Sequence, residues 1–381
     1  MDNKKLARAT NTFGINLLRR LAAGEAKDRN VFISPSSIAF ALSMTLNGAS
    51  GETRKAMASA LGVGAESLDE VNAANTALIA ELRKADPKVR LEIANALFTK
   101  AGYPFNPAFL DTNKQHYGAE VSGLDFTGDP DGCLKRINGW CGEHTNHKIE
   151  KILDRINPAA AMFLVNAIYF FGPWQEAFPK DATQNRDFRL LDGNKKSHPT
   201  MMQFGREYPY LETEDFQAAS LPYGDGRLSM CVLLPRETSS LSALLEKLDA
   251  ESWDRWMSQL QDTEGTVLLP RFKLEFESTL NDVLAQLGMG VAFDRLKADF
   301  SGMVPPPDRL CIDEVKHKTF VDVTEEGTEA AAVTSVGMIF CTSIGPAKRT
   351  FVLKVNRPFL CAIRDRESGA VLFLGAIVEP K

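Results

Sequence analysis

The stretch that most limits how this chain can fold runs from Gly327 to Ala347. Its 21 residues carry one charge, Glu329, and no proline before Pro346. Two carboxylates, Glu325 and Glu326, precede it, and Lys348 and Arg349 follow it. Alternate positions Thr328, Ala330, Ala332, Thr334, Val336, Met338 and Phe340 form one face, small at its start and apolar at its end. A strand places such positions on one side of a sheet. Left as an ordinary exposed loop, so apolar a segment is an aggregation hazard. Ala330 to Ala332 would suit a helix, but the Val-Thr-Ser-Val-Gly run after them would not. The stretch breaks a local rule, which marks it as a candidate functional segment able to become a long buried strand.

The rest of the chain is ordinary. Of 381 residues, 44% are hydrophobic and 24% charged, which excludes disorder, collagen and low complexity for its bulk. Lys and Arg number 44 against 49 Asp and Glu, a net charge of −5, so nothing favours nucleic acid as a partner. At about 150 residues per domain the length suggests two or three domains or one large one. No linker and no internal repeat divides the sequence. No run approaches the ~20 apolar residues of a membrane span; the longest, Ala159 to Phe171, is interrupted by Asn166. The start, MDNKKLARATNTFGINLL, lacks the apolar core of a signal peptide. The chain reads as cytoplasmic, or as secreted or periplasmic if a leader lies outside it.

Signals for chemistry are weak. The six cysteines (133, 141, 231, 311, 341, 361) form no CxxC pair and read as free, mostly buried thiols. His144 and His147 have metal-compatible spacing on an expected helix, but no further ligand accompanies them, so no metal is expected. No nucleophile elbow, P-loop, HExxH or dinucleotide fingerprint occurs. An enzyme is not expected.

Periodicity predicts helices over 4–23, from Ser36 or Ser37 to Asn47, over 52–62, 68–84, 130–153, 240–260 and 278–288. It predicts strands at 30–33, 91–99, 161–171, 200–211, 216–222, 227–235, 265–276, 350–354, 359–364 and 371–378. Mixed elements without βαβ regularity indicate an α+β fold rather than a doubly wound sheet.

Four motifs in order identify a resemblance to the serpin family, from about residue 10 to the C-terminus. They are NVFISPSSIAFALSMTLNGASGETRKAM (30–57), FLVNAIYFFGPWQEAF (163–178), EEGTEAAAVTS (325–335) and VNRPFLCAI (355–363). The resemblance implies one domain over 1–381, with three β-sheets, eight or nine helices and an exposed reactive-centre loop at about 325–349. It implies a suicide inhibitor: a target serine protease cleaves the loop and is held as a covalent 1:1 acyl-enzyme while the hinge inserts into the main sheet. Glu325, Glu326, Gly327, Thr328, Glu329, Ala330, Ala331 and Ala332 match the hinge. Non-inhibitory serpins, which serve as binding or chaperone proteins, often carry bulky, charged or proline residues there; this hinge resembles the inhibitory type.

Counting from Gly327 by the family's spacing puts the reactive bond at Cys341–Thr342. The interval from Cys341 to Asn356 is longer than in many serpins, which leaves Phe340, Met338 and Ile344 as alternatives. Such residues suit chymotrypsin-like or elastase-like pockets, with subtilisin-like or cysteine proteases as further options. An exposed Cys341 would be open to oxidation. Ser34, Ser37, Asn166 and His317 match the family's shutter; helix capping alone would also account for the two serines. Trp174 matches the breach, where Arg271 and Glu325 are expected to form a partly exposed pair worth ~1 kcal/mol or less, acting as a kinetic brake. Gly327 is expected to supply the turn at the pivot. The acidic 68–84 segment gives no support for a polyanion cofactor. A monomer with possible loop–sheet polymerisation is expected.

Overall fold

The computed structural model describes residues 1–24, 26–329 and 350–381. The chain opens with helix α1 (Asn3–Ala23), capped by Asp2, whose Leu6, Phe13, Leu17, Leu18 and Leu21 are buried. Strand β1 (Val31–Ile33) leads into α2 (Pro35–Leu46). Eleven of the twelve α2 residues are buried, so α2 lies inside the molecule rather than on it. Its cap is Ser34, with Pro35 at the first helical position, not Ser36 or Ser37. Next come α3 (Gly51–Ala60), α4 (Leu68–Leu82), β2 (Arg90–Lys100), α5 (Pro107–Tyr117), β3 (Glu120–Leu124), α6 (Pro130–His144) and β4 (Met162–Pro173). After these come β5 (Gln184–Arg189), β6 (Lys195–Glu212), β7 (Phe216–Pro222), β8 (Leu228–Pro235), α7 (Leu241–Lys247), α8 (Ala250–Ser258), β9 (Gln261–Pro270) and β10 (Phe272–Thr279). The described chain ends with α9 (Asn281–Leu284), α10 (Gly290–Phe293), β11 (Lys316–Thr324), β12 (Gly327–Thr328), β13 (Thr350–Lys354), β14 (Phe359–Asp365) and β15 (Val371–Ile377).

Several expectations are corrected. The helix expected over 130–153 stops at His144, because Asn146 and His147 take φ of 50° and 58°. Residues 145–161 instead form an irregular strap. The segment expected as one helix over 240–260 is two, each with its own cap, Ser240 and Asp249. The strand expected over 265–276 breaks at Arg271: β9 and β10 belong to different sheets. Helix α5 and strands β3, β5 and β11 were not anticipated.

Hydrogen bonding among the described residues connects the strands into two sheets. One runs β1-β15-β14-β8-β7-β6-β9-β13, with β5 on β6. The 18-residue β6 makes it continuous, pairing in turn with β5, β9 and β7. The other runs β10-β11-β12-β4-β2-β3. Most pairs are antiparallel; β2–β3 and β13–β9 are parallel. Helix α6 and the strap cover one face of this six-stranded sheet, burying Ile137, Trp140, Ile149, Ile152, Leu153 and Ile156 against Phe98, Val165 and Ala167. Asn138 of α6 fixes the strap, accepting from the amides of Ile152 and Leu153 at 2.9 Å each.

The six-stranded sheet has a break at its centre. Strands β2 and β4 are in register from Arg90↔Phe171 to Thr99↔Met162. Strands β10 and β11 are in register from Phe272↔Val323 to Thr279↔Lys316. Among the described residues only β12 joins these halves, with Val323↔Thr328 and Thr324↔Gly327 on one side and Gly327↔Pro173 and Thr328↔Gly172 on the other.

Candidate functional site: the break in the six-stranded sheet

The N-terminus of α2 lies under the break and grips both halves. On the β11 side, the Ser34 amide donates to His317 Nε2 at 3.0 Å, and Thr319 Oγ1 donates to the Phe32 carbonyl. On the β4 side, Ser37 Oγ donates to Asn166 Oδ1; Asn166 Nδ2 donates onward to Asn95 Oδ1 at 2.6 Å, and Asn95 to the Tyr117 carbonyl at 2.8 Å. Ser34 does two jobs. Its Oγ caps α2, accepting from Ser37 N at 3.2 Å, and donates to the Leu372 carbonyl at 2.6 Å. Capping and bridging therefore coexist. His317 is 5% exposed. Accepting an amide proton fixes Nε2 as a lone pair and the ring as neutral. Burial holds the ring's pKa far down, at about 3, because charging it would desolvate a cation.

At the opposite end, β12 closes the break. The Glu325–Glu326 turn returns the chain from β11. Gly327 has φ of 146°, and a Cβ there would lie 2.2 Å from the Gly172 carbonyl oxygen and 2.6 Å from Pro173 Cα. Only glycine lets the returning strand approach β4 so closely. This corrects the expected role: Gly327 sits in the strand after the turn. Trp174 is buried, stacks on Tyr223 with centroids 4.5 Å apart, and donates from Nε1 to the Thr324 carbonyl at 2.9 Å. The Tyr223 hydroxyl and Thr328 Oγ1 share a hydrogen bond of 2.6 Å.

The expected Arg271–Glu325 pair forms, and it is partly exposed, on its arginine side. Arg271 Nε lies 2.9 and 2.8 Å from the two Glu325 oxygens, and Nη2 also donates to Oε2. Thr183 Oγ1 adds a bond of 2.5 Å. The Glu325 side chain is 1% exposed against 45% for Arg271. Burial alone would push its carboxyl up; hydrogen bonds from Arg271 and Thr183 outweigh that and hold it below the usual glutamate range. Lys180 pairs with Glu326 beside it. Thr183, Lys180, Tyr223, Thr319 and Asn95 carry no signal in the sequence, because distant elements bring them here.

Ala330, Ala331, Ala332, Met338, Phe340, Cys341, Thr342 and Ile344 lie outside the described residues. Cys133, Cys141, Cys231 and Cys361 are free and buried, and Cys311 is free and partly exposed. His147 lies beyond the end of α6, and His144 Nδ1 sits 2.8 Å from the Trp140 carbonyl. Among the described residues no cluster of His, Cys, Asp and Glu could hold a metal. No described helix is long and apolar enough to cross a membrane.

The arrangement is thus a sheet parted between two strands, clamped from beneath by α2 and entered by two residues of a further strand. Proteins of known identity share the fold. The profile of the family described as "Serpin (serine protease inhibitor)" matches residues 8–380. Serpin B8 of Bos taurus is 38% identical over 380 residues, covering 98% of this chain and 99% of its own. Human leukocyte elastase inhibitor is 36% identical, covering 99% and 100%. Among solved structures, the thermophilic serpin tengpin in its native state superposes with a TM-score of 0.87 at 31% identity, covering 100% of this chain and 95% of that one. Thyroxine-binding globulin complexed with thyroxine superposes with a TM-score of 0.87 at 26% identity, covering 99% and 100%. The chain belongs to the serpin family, a family of protease inhibitors rather than enzymes.

Proposed function

We propose that this protein is a suicide inhibitor of serine endopeptidases, formed as one serpin domain over 1–381 with its reactive-centre loop at about 325–349. The observation that carries the reading is β12: Gly327 and Thr328 already pair as the opening residues of a strand between β4 and β11. Beyond Glu329, Ala330 to Ala332 offer no bulk to obstruct insertion.

In this reading the hydroxyl of the target's serine attacks the carbonyl carbon of Cys341. The bond to Thr342 breaks, the new amino terminus leaves, and an ester joins residue 341 to the protease. Strand insertion then outruns hydrolysis of that ester. The 14 residues Thr328 to Cys341 span about 46 Å as a strand, enough to carry the protease across the molecule. Should the bait be shifted, Phe340, Met338 or Ile344 takes the place of Cys341. Each of these suits a chymotrypsin-like or elastase-like pocket, and the likeness to leukocyte elastase inhibitor supports that choice. The shutter role falls to Ser34, Ser37, Asn166 and His317, and the breach role to Trp174, Arg271 and Glu325. The protein acts as a monomer, and the same open edges would serve loop–sheet polymerisation.

Likeness to thyroxine-binding globulin favours a second reading, a non-inhibitory binding protein. Incubation with chymotrypsin and with elastase separates the two. The inhibitor gives an SDS-stable adduct and a cleaved form that melts at higher temperature. Cleavage without adduct and with an unchanged melting temperature overturns the inhibitor reading.

A further inference from the structure

Glu329 is the one charge in the stretch between Gly327 and Ala347, and its surroundings are built. Its side chain is 4% exposed and pairs with Lys148 Nζ at 2.5 Å. The Tyr169 hydroxyl of β4, which accepts from Asn146 Nδ2 at 3.2 Å, faces the same carboxylate. Lys148 and Asn146 belong to the strap across the sheet. The Lys148 ammonium also sits 5.2 Å above the Phe320 ring of β11, so this one side chain touches the strap, β11 and the incoming chain.

The next step of strand entry puts demands on this cluster. Thr328 points inward to Tyr223, so an extending strand must point Glu329 to the opposite face, under the strap. Glu329 now has φ of 60° and must become extended to continue the strand. Throughout that change its carboxylate stays between sheet and strap, where a charge without a partner is severely disfavoured.

We propose that Lys148 is a positioning residue for strand entry: it supplies the counter-charge that lets the only charged residue of the inserting segment pass beneath the strap. This rests on the inhibitor reading above. Loss of one charged hydrogen bond slows insertion about tenfold, leaving more time for the ester to be hydrolysed.

The test compares wild type, Lys148→Met, Lys148→Arg and Lys148→Met/Glu329→Gln against chymotrypsin, with circular dichroism to confirm folding. Lys148→Met is expected to keep the rate of association, raise the molar ratio needed for full inhibition several-fold, and accumulate cleaved free inhibitor. Lys148→Arg and the double variant are expected to restore the wild-type ratio. A wild-type ratio in Lys148→Met, or no recovery in the double variant, overturns the proposal. Glu329→Gln alone does not depend on the lysine variants folding; it should insert at least as fast as wild type, and slower insertion overturns the proposal. If wild type forms no adduct at all, the inhibitor reading fails first and this role goes with it.

Discussion

His317 makes the stability of this protein depend on pH in a calculable way. Its ring is buried and accepts the Ser34 amide proton at 3.0 Å. Its pKa is about 3 in the folded protein against about 6.5 in the unfolded chain. A histidine with a depressed folded pKa stabilises fully above the unfolded value. That contribution is lost as pH falls from about 6.5 toward 3, because only the unfolded chain takes up the proton. The loss approaches 1.4 kcal/mol per pH unit, or about 2 kcal/mol at pH 5. With about 2.1 cal/mol/K per residue over 381 residues, this lowers the melting temperature by about 2–3 °C. Carboxylates contribute their own slope, so the comparison is with His317→Gln, which keeps an acceptor for Ser34 and cannot titrate. Melting followed by circular dichroism at pH 7.5, 6.5, 5.5 and 5.0 should show the two curves converging as pH falls. Parallel curves, or a His317 NMR titration near 6.5, would refute the reasoning.

Arg271→Ala should leave a buried carboxylate held by Thr183, weakening the closure at β12 by about 1–3 kcal/mol; conversion to an inactive or polymeric form on mild heating, followed by native gel, should speed up, and an unchanged rate counts against the brake. The pair itself should loosen on acidification, since the depressed pKa of Glu325 confers stability above about pH 4.5 that is lost as pH falls through the folded value. Gly327→Ala should be severe, because the added Cβ meets the β4 backbone and φ is unfavourable for alanine; a cost of about 1–3 kcal/mol or more in chemical denaturation is expected, and a neutral result would mean that β12 does not pack as described.

Some of this was legible from the residues and some was not, for physical reasons. Strand β4 announced itself because its run is almost wholly apolar, and none of its residues is fully exposed. Strand β11 did not: its inward positions include His317 and Thr319, polar groups satisfied only by Ser34 and Phe32 far away in the chain. The early end of α6 was invisible because Asn146 and His147 carry the left-handed turn where glycine is the usual signal. The break at Arg271 depends on which sheet each neighbour joins, a long-range fact. At the site, the motifs placed Glu325 opposite Arg271, but Thr183, which also holds that carboxylate, carries no local signal. Lys148 was missed outright, since nothing local marks a strap lysine as the partner of Glu329.

The central claim is that the loop is cut once and the protease kept. Mass spectrometry under denaturing conditions, after mixing with chymotrypsin at equal molarity, tests it most directly. The account predicts one covalent species with the summed mass of the protease and residues 1–341, together with a free fragment of residues 342–381. A boundary moved to follow Met338, Phe340 or Ile344 would reassign the bait and leave the mechanism standing. Unmodified protease beside two complementary fragments of this chain would contradict the account.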